Sequence, residues 1–374
     1  MPSWLKEGRG SLCGANVSLL LREMGITKPL LVAGERTKNV FFARTGMRLP
    51  VFDAFHPNPD LQDCVAGAAL YQEKGCDGLI SIGGGSAMDT AKGIKALLMT
   101  DIAHVRANQL PSEGNVPHLA IPGTAGTGAE TTAVAVLYEN GQKLSVDHPA
   151  LLPDGVLLDG SLLDTLPEYH RKSCAMDALA QGIESWWAKK ATPGSRIHAE
   201  RAIRGVLDNL TAYLQGDRKA QDEMLHAAYE SGVAILTTRT TAAHAMSYQI
   251  TKKLGAAHGH ACMLTLPHLW AHLAAQAEYQ PMLTELSRIL GGEKPMDGAI
   301  LLKGLLAVLE LDKIPMPDDA TLDMLAASVN PERLGNHPEA LTMAQLRAIY
   351  VQAFTPMTDT ERAEAIAAWE QYGK

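Results

Sequence analysis

Three observations predict that this chain folds as an α/β domain with a parallel sheet followed by an all-α domain. Short apolar runs alternate with helix-spaced stretches over residues 1–166. After Leu166-Pro167 the apolar residues recur instead at three and four, the helical spacing. A length of 374 residues also exceeds the roughly 250–300 at which single cores stop growing. The expected domains are therefore 1–166 and 167–374.

Taken in order, the chain first predicts a short strand and then a helix from about Gly14 to Met24, stopped by Gly25. Pro29-Leu-Leu-Val-Ala-Gly34 reads as a buried strand opening onto a loop at Glu35-Arg36-Thr37. Val51-Phe52-Asp53 is a second strand, Asp60 to Lys74 a helix, and Gly78-Leu-Ile-Ser-Ile82 a third strand. That strand runs into Gly83-Gly84-Gly85-Ser86-Ala-Met-Asp89-Thr90-Ala-Lys92, with helix expected over Thr90–Met99. Consecutive glycines let backbone N–H groups approach an anion, and a helix N-terminus adds a favourable dipole. Met88 stands where the third glycine of a G-x-G-x-x-G fingerprint would be, so a tight turn without a ligand competes with the cradle at this point.

Residues 101–116 are polar and irregular. The strand Pro117–Pro122 leads into Gly123-Thr124-Ala-Gly126-Thr127-Gly128-Ala-Glu130, a second Gly/Thr-rich turn at the same edge, where open α/β sheets bind ligands. Two such turns favour a dinucleotide and a Rossmann-like nucleotide-binding domain. Val134–Leu137 and Lys143–Val146 form a hairpin about Asn140-Gly141, and Gly155–Asp159 is the last strand. The helical region has breaks at Thr192-Pro-Gly194, Gly216-Asp217, Gly255, Gly291-Gly292 and Pro315–Pro317.

Composition narrows the partners. A net charge of −8 supplies no basic field for nucleic acid or an anionic membrane. Five cysteines without CxxC spacing argue against a disulfide framework and against a thiolate zinc site, and fit a reducing cytoplasm. The N-terminus lacks an apolar leader, and no stretch reaches the roughly 18 apolar residues of a membrane span.

In the second half a helix over 236–250 would put His244 and Tyr248 on one face, with Gly255 returning His258-Gly-His260 toward them. Asp177 and Gln181 form another i, i+4 pair, able to present two oxygens. Each pair alone is more often structural; together they make a metal cage worth testing.

Several stretches, in one order, carry a family resemblance: Gly83-Gly-Gly-Ser86-x-x-Asp89-x-x-Lys92, Pro122-x-Thr-Ala-Gly-Thr127-Gly-x-Glu130, Leu152-Pro153-Asp154 to Asp159, Met176-Asp177-Ala178, and His258-Gly259 with Leu266-Pro267-His268. The chain resembles the iron-dependent (group III) alcohol dehydrogenases over about residues 30–270. The resemblance implies the dehydroquinate synthase-like architecture, with the active site in a cleft between the two domains, and a homodimer or larger homo-oligomer. It implies a divalent metal on Asp177, Gln181, His244 and His258, where Gln181 replaces the family's second ligand, a histidine, and Tyr248 replaces a further active-site histidine. Fe2+ suits such a set, as do Mn2+ and Zn2+.

By the same resemblance Gly34, Gly83, Gly84, Gly85, Ser86, Asp89, Thr124, Thr127 and Lys143 bind the dinucleotide, while Tyr248 and His258 are catalytic. Many NAD-using relatives have Asp where Gly34 stands; Glu35 and Arg36 beside it leave both NADH and NADPH open. Arg239 and His260 suggest a pocket for an anionic tail, since a guanidinium matches carboxylate, sulfonate or phosphonate oxygens. The stretches 177–187, 239–248 and 258–261 resemble the phosphonoacetaldehyde reductase branch, with sulfoacetaldehyde reductases acting on a near-isosteric aldehyde. A general short-chain alcohol or semialdehyde dehydrogenase, and a metal-independent enzyme of the maleylacetate reductase type, are the alternatives; a synthase of the dehydroquinate type and a silent nucleotide-binding protein are further ones.

Overall fold

The computed structural model of the chain describes residues 6–112 and 116–372. It divides into two compact units, Met1–Thr165 and Leu166–Lys374.

The first unit carries β1 (Lys6–Arg9), α1 (Gly14–Glu23), β2 (Pro29–Ala33), α2 (Glu35–Thr45), β3 (Val51–Phe52), α3 (Leu61–Glu73), β4 (Gly78–Gly83), α4 (Gly85–Met99), α5 (Ile102–Arg106), β5 (His118–Pro122), β6 (Val134–Glu139), β7 (Gln142–Asp147) and β8 (Gly155–Leu158). Six strands form a parallel sheet in the order β1-β8-β5-β4-β2-β3, and β6 and β7 pair as an antiparallel hairpin. Strand alternation builds two cores. Leu31, Ala33, Ile80, Ile82, Leu119 and Ile121 pack on one face with α1 and α2. Leu30, Val32 and Leu79 point to the other, against residues of α3, α4 and the hairpin. Asn140 (φ 52) and Gly141 (φ 73) both take left-handed backbone, as a tight hairpin turn requires.

Three local expectations are corrected. The stretch after Gly34 is a helix, not a loop, because Gly34 takes an extended N-cap conformation and α2 begins at Glu35. Helix α4 begins at Gly85 rather than Thr90, so Gly83 ends β4, Gly84 is the N-cap and Gly85 the first helical residue. Residues 101–116 include the short helix α5, capped by the Asp101 side chain on the His104 N–H at 3.0 Å.

The second unit is helical among its described residues: α6 (Glu168–Trp187), α7 (Pro193–Leu214), α8 (Arg218–Thr238), α9 (Ala242–Gln249), α10 (His258–Ala274), α11 (Gln280–Leu290), α12 (Asp297–Val308), α13 (Asp319–Ala327), α14 (Pro331–Leu334), α15 (Met343–Phe354) and α16 (Asp359–Tyr372). The single helix expected over 236–250 is broken. Arg239 has φ 63 and ψ 176, and a run of β-branched threonines at 237, 238, 240 and 241 disfavours helix there. No described helix is long and apolar enough to cross a membrane.

Candidate metal and cofactor sites

In the first unit the ends of β2, β4 and β5 are neighbours in the sheet, which brings Gly34, Gly83 and Gly123 together. The Gly123 N–H donates to the Gly83 carbonyl at 2.7 Å. A Cβ on Gly84 would lie 3.2 Å from Thr124 Cγ2, and one on Gly85 would lie 3.5 Å from Thr127 Cγ2, so both threonines cover the glycine turn. No side chain caps α4, and helix geometry gives the N–H groups of Gly85 and Ser86 no intrahelical acceptor. The turn thus presents amides and a positive dipole end at a sheet edge.

The rest of the motif stiffens this edge. Lys92 is buried, and its ammonium donates to the carbonyls of Ala129 (2.7 Å) and Val134 (2.9 Å) and to Thr132 Oγ1 (3.1 Å), fastening the second Gly/Thr turn to α4. Burial pushes Lys92 down to about 8, although Asp89 and Glu130 oppose it. Burial likewise lifts Asp89 to about 6 and Glu130 to about 7, with Lys92 pulling both the other way. Asp89 faces Val136 and Lys143 of the hairpin. Lys38, one turn into α2, is tied to Glu35 (2.5 Å) and Asp53 (2.7 Å), and Arg36 donates to the Thr165 carbonyl at 2.9 Å.

In the second unit Asp177 of α6, His244 of α9, and His258 and Cys262 of α10 converge, with one donor atom of each lying within 4.8 Å of the others. Glu184, two turns along α6 from Asp177, is the residue that orients this group. Its Oε2 accepts from His244 Nδ1, and its Oε1 accepts from Thr241 Oγ1 (2.5 Å) and the N–H groups of Thr241 (3.2 Å) and Ala243 (2.8 Å). One buried carboxylate therefore caps α9 and fixes the imidazole. With the proton on Nδ1, His244 Nε2 faces Asp177 Oδ1 at 3.2 Å. His258 is set the same way: Ser247 Oγ donates to the His244 carbonyl (2.9 Å) and lies 3.3 Å from His258 Nδ1, leaving Nε2 toward Cys262 Sγ at 3.9 Å.

The charges of the cluster support one another. Burial disfavours a charged imidazole at His244, yet Cys262, Glu184 and Asp177 outweigh it and hold its pKa well above the usual histidine range. Burial also works against the Asp177 carboxylate, but His258 and His244 keep its pKa low. Two imidazole nitrogens, a carboxylate oxygen and a sulfur suit a borderline divalent ion such as Fe2+ or Zn2+. The 3.2 and 3.9 Å edges fall just either side of the roughly 3.3–3.8 Å expected between ligands at tetrahedral metal distances.

Gly259 explains how α10 comes close enough. A Cβ there would lie 1.9 Å from the Ser173 carbonyl oxygen and 2.6 Å from the Asp177 N atom, so only glycine admits this crossing of α6 and α10.

The remaining expected residues fall differently. Gln181 is buried beside Asp177, its Nε2 donating to Asp177 Oδ1 at 3.2 Å while Ser231 Oγ donates to its Oε1 at 2.8 Å. Tyr248 stacks on His258 with ring centroids 5.9 Å apart and planes at 8°. His260 points elsewhere: Nδ1 lies 3.1 Å from Tyr169 Oη and Nε2 donates to the Leu311 carbonyl at 2.8 Å. Both its ring nitrogens are engaged in packing α10 against its neighbours. Arg239 does not share the helix of His244, because the break at its own position separates α8 from α9.

Besides Glu184 and Ser247, two residues are not singled out by the sequence. Cys262 lacks any CxxC partner, which argued against a thiolate ligand, but it lies four residues after His258 on one helix, the spacing that singled out the other pairs. Arg333 of α14 comes from far along the chain; its guanidinium sits 5.8 Å from the Tyr248 ring centroid and donates to Thr240 Oγ1.

Comparison with known proteins supports both units. The NAD-dependent methanol dehydrogenase of Bacillus methanolicus is 30% identical over 299 residues, 75% of this chain and 77% of that protein. The phosphonoacetaldehyde reductase of Streptomyces viridochromogenes is 36% identical over 228 residues, 57% of this chain and 58% of its own length, under two thirds. The crystal structure of sulfoacetaldehyde reductase from Bifidobacterium kashiwanohense in complex with NAD+ superposes with a TM-score of 0.85 at 26% identity, covering 95% of this chain and 97% of that one. Residues 3–160 match the iron-containing alcohol dehydrogenase family and residues 172–354 match that family's C-terminal domain, so a chain with a glycine cradle in one unit and a convergent donor set in the other belongs to the iron-containing alcohol dehydrogenases.

Proposed function

We propose that this oxidoreductase reduces a small aldehyde bearing an anionic group to its primary alcohol, with a nicotinamide dinucleotide and a divalent metal ion as cofactors. Sulfoacetaldehyde to isethionate, or phosphonoacetaldehyde to 2-hydroxyethylphosphonate, are the reactions in view. The observation that carries the substrate class is the stack of Arg333 over Tyr248 over His258, which sets a guanidinium two rings away from a metal-donor nitrogen. A guanidinium binds sulfonate or phosphonate oxygens in a fork. Arg239, at the α8–α9 break, is the second guanidinium proposed for the anionic tail. The names of two relatives, a phosphonoacetaldehyde reductase and a sulfoacetaldehyde reductase, point the same way.

When bound, the dinucleotide supplies the hydride and the ion supplies Lewis acidity at the carbonyl oxygen. Gly83, Gly84, Gly85 and Ser86 hold the pyrophosphate, Thr124, Thr127 and Lys143 its ribose and nicotinamide side, and Asp89 keeps Lys143 in place. NADH is the preferred donor, because the two cations that follow Gly34 are engaged elsewhere, Lys38 by Glu35 and Asp53 and Arg36 by the Thr165 carbonyl, and a 2′-phosphate would have to displace those contacts. Asp177, His244 and His258 hold the ion, with Glu184 and Ser247 keeping both imidazole Nε2 atoms turned inward. Burial raises the pKa of Tyr248, so its hydroxyl keeps a proton to donate to the oxygen that becomes the alcohol.

The test follows NADH and NADPH oxidation with sulfoacetaldehyde, phosphonoacetaldehyde, succinic semialdehyde and propanal, before and after chelation and metal readdition. The expected result is a preference for the two sulfonate and phosphonate aldehydes that collapses in R333A, and activity lost on chelation and regained with metal. Equal kcat/KM for propanal would overturn the substrate class. Undiminished turnover after chelation would favour the metal-independent alternative.

A further inference from the structure

We infer that Cys262, rather than Gln181, completes the metal centre, as a thiolate ligand alongside Asp177, His244 and His258. The inference rests on the reading of this cluster as a metal site and goes beyond it in naming the fourth donor. Its basis is where the two candidate atoms lie. A glutamine can ligate only through its carbonyl oxygen, and Gln181 Oε1 is turned toward Ser231 Oγ (2.8 Å), a hydroxyl shared with the Ala228 carbonyl (2.8 Å), while the amide NH2 is the end that meets Asp177. Cys262 Sγ is one of the four donor atoms that lie within 4.8 Å of one another, and it stands 3.9 Å from His258 Nε2.

Helix geometry delivers the sulfur without distortion. His258 and Cys262 are one turn apart on α10, and the Gly259 crossing brings that face against Asp177 on α6. Cys262 is fully buried, as is usual for a structural cysteine, but its neighbours here are two imidazoles and a carboxylate rather than apolar groups alone. Gln181 becomes a positioning residue, its NH2 holding Asp177 Oδ1 toward the centre. On binding, the thiol releases its proton to solvent and the ion takes the sulfur lone pair, giving a set of two nitrogens, one oxygen and one sulfur. Such a set shifts preference toward Zn2+ and Fe2+ and away from Mn2+.

The test loads the full-length protein with Co2+ and records the near-ultraviolet spectrum, where a thiolate–cobalt bond gives an intense charge-transfer band absent from nitrogen and oxygen ligation. The expected result is a band in the wild type and in Q181A, and its loss in C262S with cobalt still bound. X-ray absorption on the zinc-loaded wild type needs no variant and should show one sulfur at about 2.3 Å. Stoichiometric cobalt without the band, a band that survives C262S, or a zinc shell of nitrogen and oxygen alone would overturn the thiolate while leaving the metal centre standing. Failure to bind either ion would overturn both.

Discussion

Replacing Glu184 by Gln probes the whole candidate centre through one atom. The carboxylate makes four contacts: Oε2 with His244 Nδ1, and Oε1 with Thr241 N (3.2 Å), Thr241 Oγ1 (2.5 Å) and Ala243 N (2.8 Å). A glutamine keeps one acceptor oxygen, enough for the α9 cap, but then points its NH2 at the Nδ1 proton. The imidazole can escape that donor–donor clash only by moving its proton to Nε2, the nitrogen that faces Asp177 at 3.2 Å. A proton there occupies the lone pair needed for a metal. Losing such an outer partner weakens metal affinity by about 10–100-fold, or roughly 1.4–2.7 kcal/mol. Competition against a chromogenic chelator measures it directly, and thermal unfolding of the metal-free protein should show a further loss of about 1.5–3 kcal/mol for the charged hydrogen bond. Metal affinity in E184Q indistinguishable from wild type would refute the claim that Glu184 sets the His244 tautomer.

Other perturbations test other links. Gly259→Ala forces a methyl into the α6 backbone, so stability should drop by about 3 kcal/mol or more in chemical denaturation, and bound metal should be lost with it; a variant of wild-type stability would mean the helices do not cross this tightly. Glu130 has its pKa raised to about 7, so its burial costs nothing while the carboxyl is protonated below about pH 4.5 and costs increasingly as pH rises through 7. Glu130→Gln should therefore match the wild type at pH 4.5 and exceed it by about 3 kcal/mol at pH 8, and a constant difference across that window would count against the buried acid. Arg239→Gly relieves a backbone conformation, φ 63 with ψ 176, that glycine alone adopts readily. Its melting temperature should rise, by the equivalent of about 1 kcal/mol, even as KM for an anionic aldehyde increases; a lower melting temperature would argue that the Arg239 side chain is needed for packing.

The sheet was legible because its strands are short apolar runs bounded by Gly and Pro, and the pairs 177/181 and 244/248 were legible because i, i+4 spacing is a local property of a helix. What could not be read is what depends on contacts between distant segments. Glu184 joins α9 from sixty residues away, and Arg333 reaches Tyr248 from a helix of four residues. The continuous helix expected over 236–250 failed partly for the same reason: beside the local threonine run, the Glu184 carboxylate caps the helix that restarts at Ala242, and spacing alone cannot announce a cap supplied by another helix. Cys262 was visible all along at four residues from His258, but the expectation that thiolate sites come as CxxC pairs hid it.

The α6–α10 crossing at Gly259 has one more consequence. Because the two backbones touch, the spacing of the main chains that carry Asp177 and His258 is set by contact between the helices, and the side chains bridge only what remains. A centre fixed in this way can exchange one donor for another from a neighbouring turn without moving the rest. A change of donor on one helix would therefore alter the choice of ion while the crossing itself stays where it was.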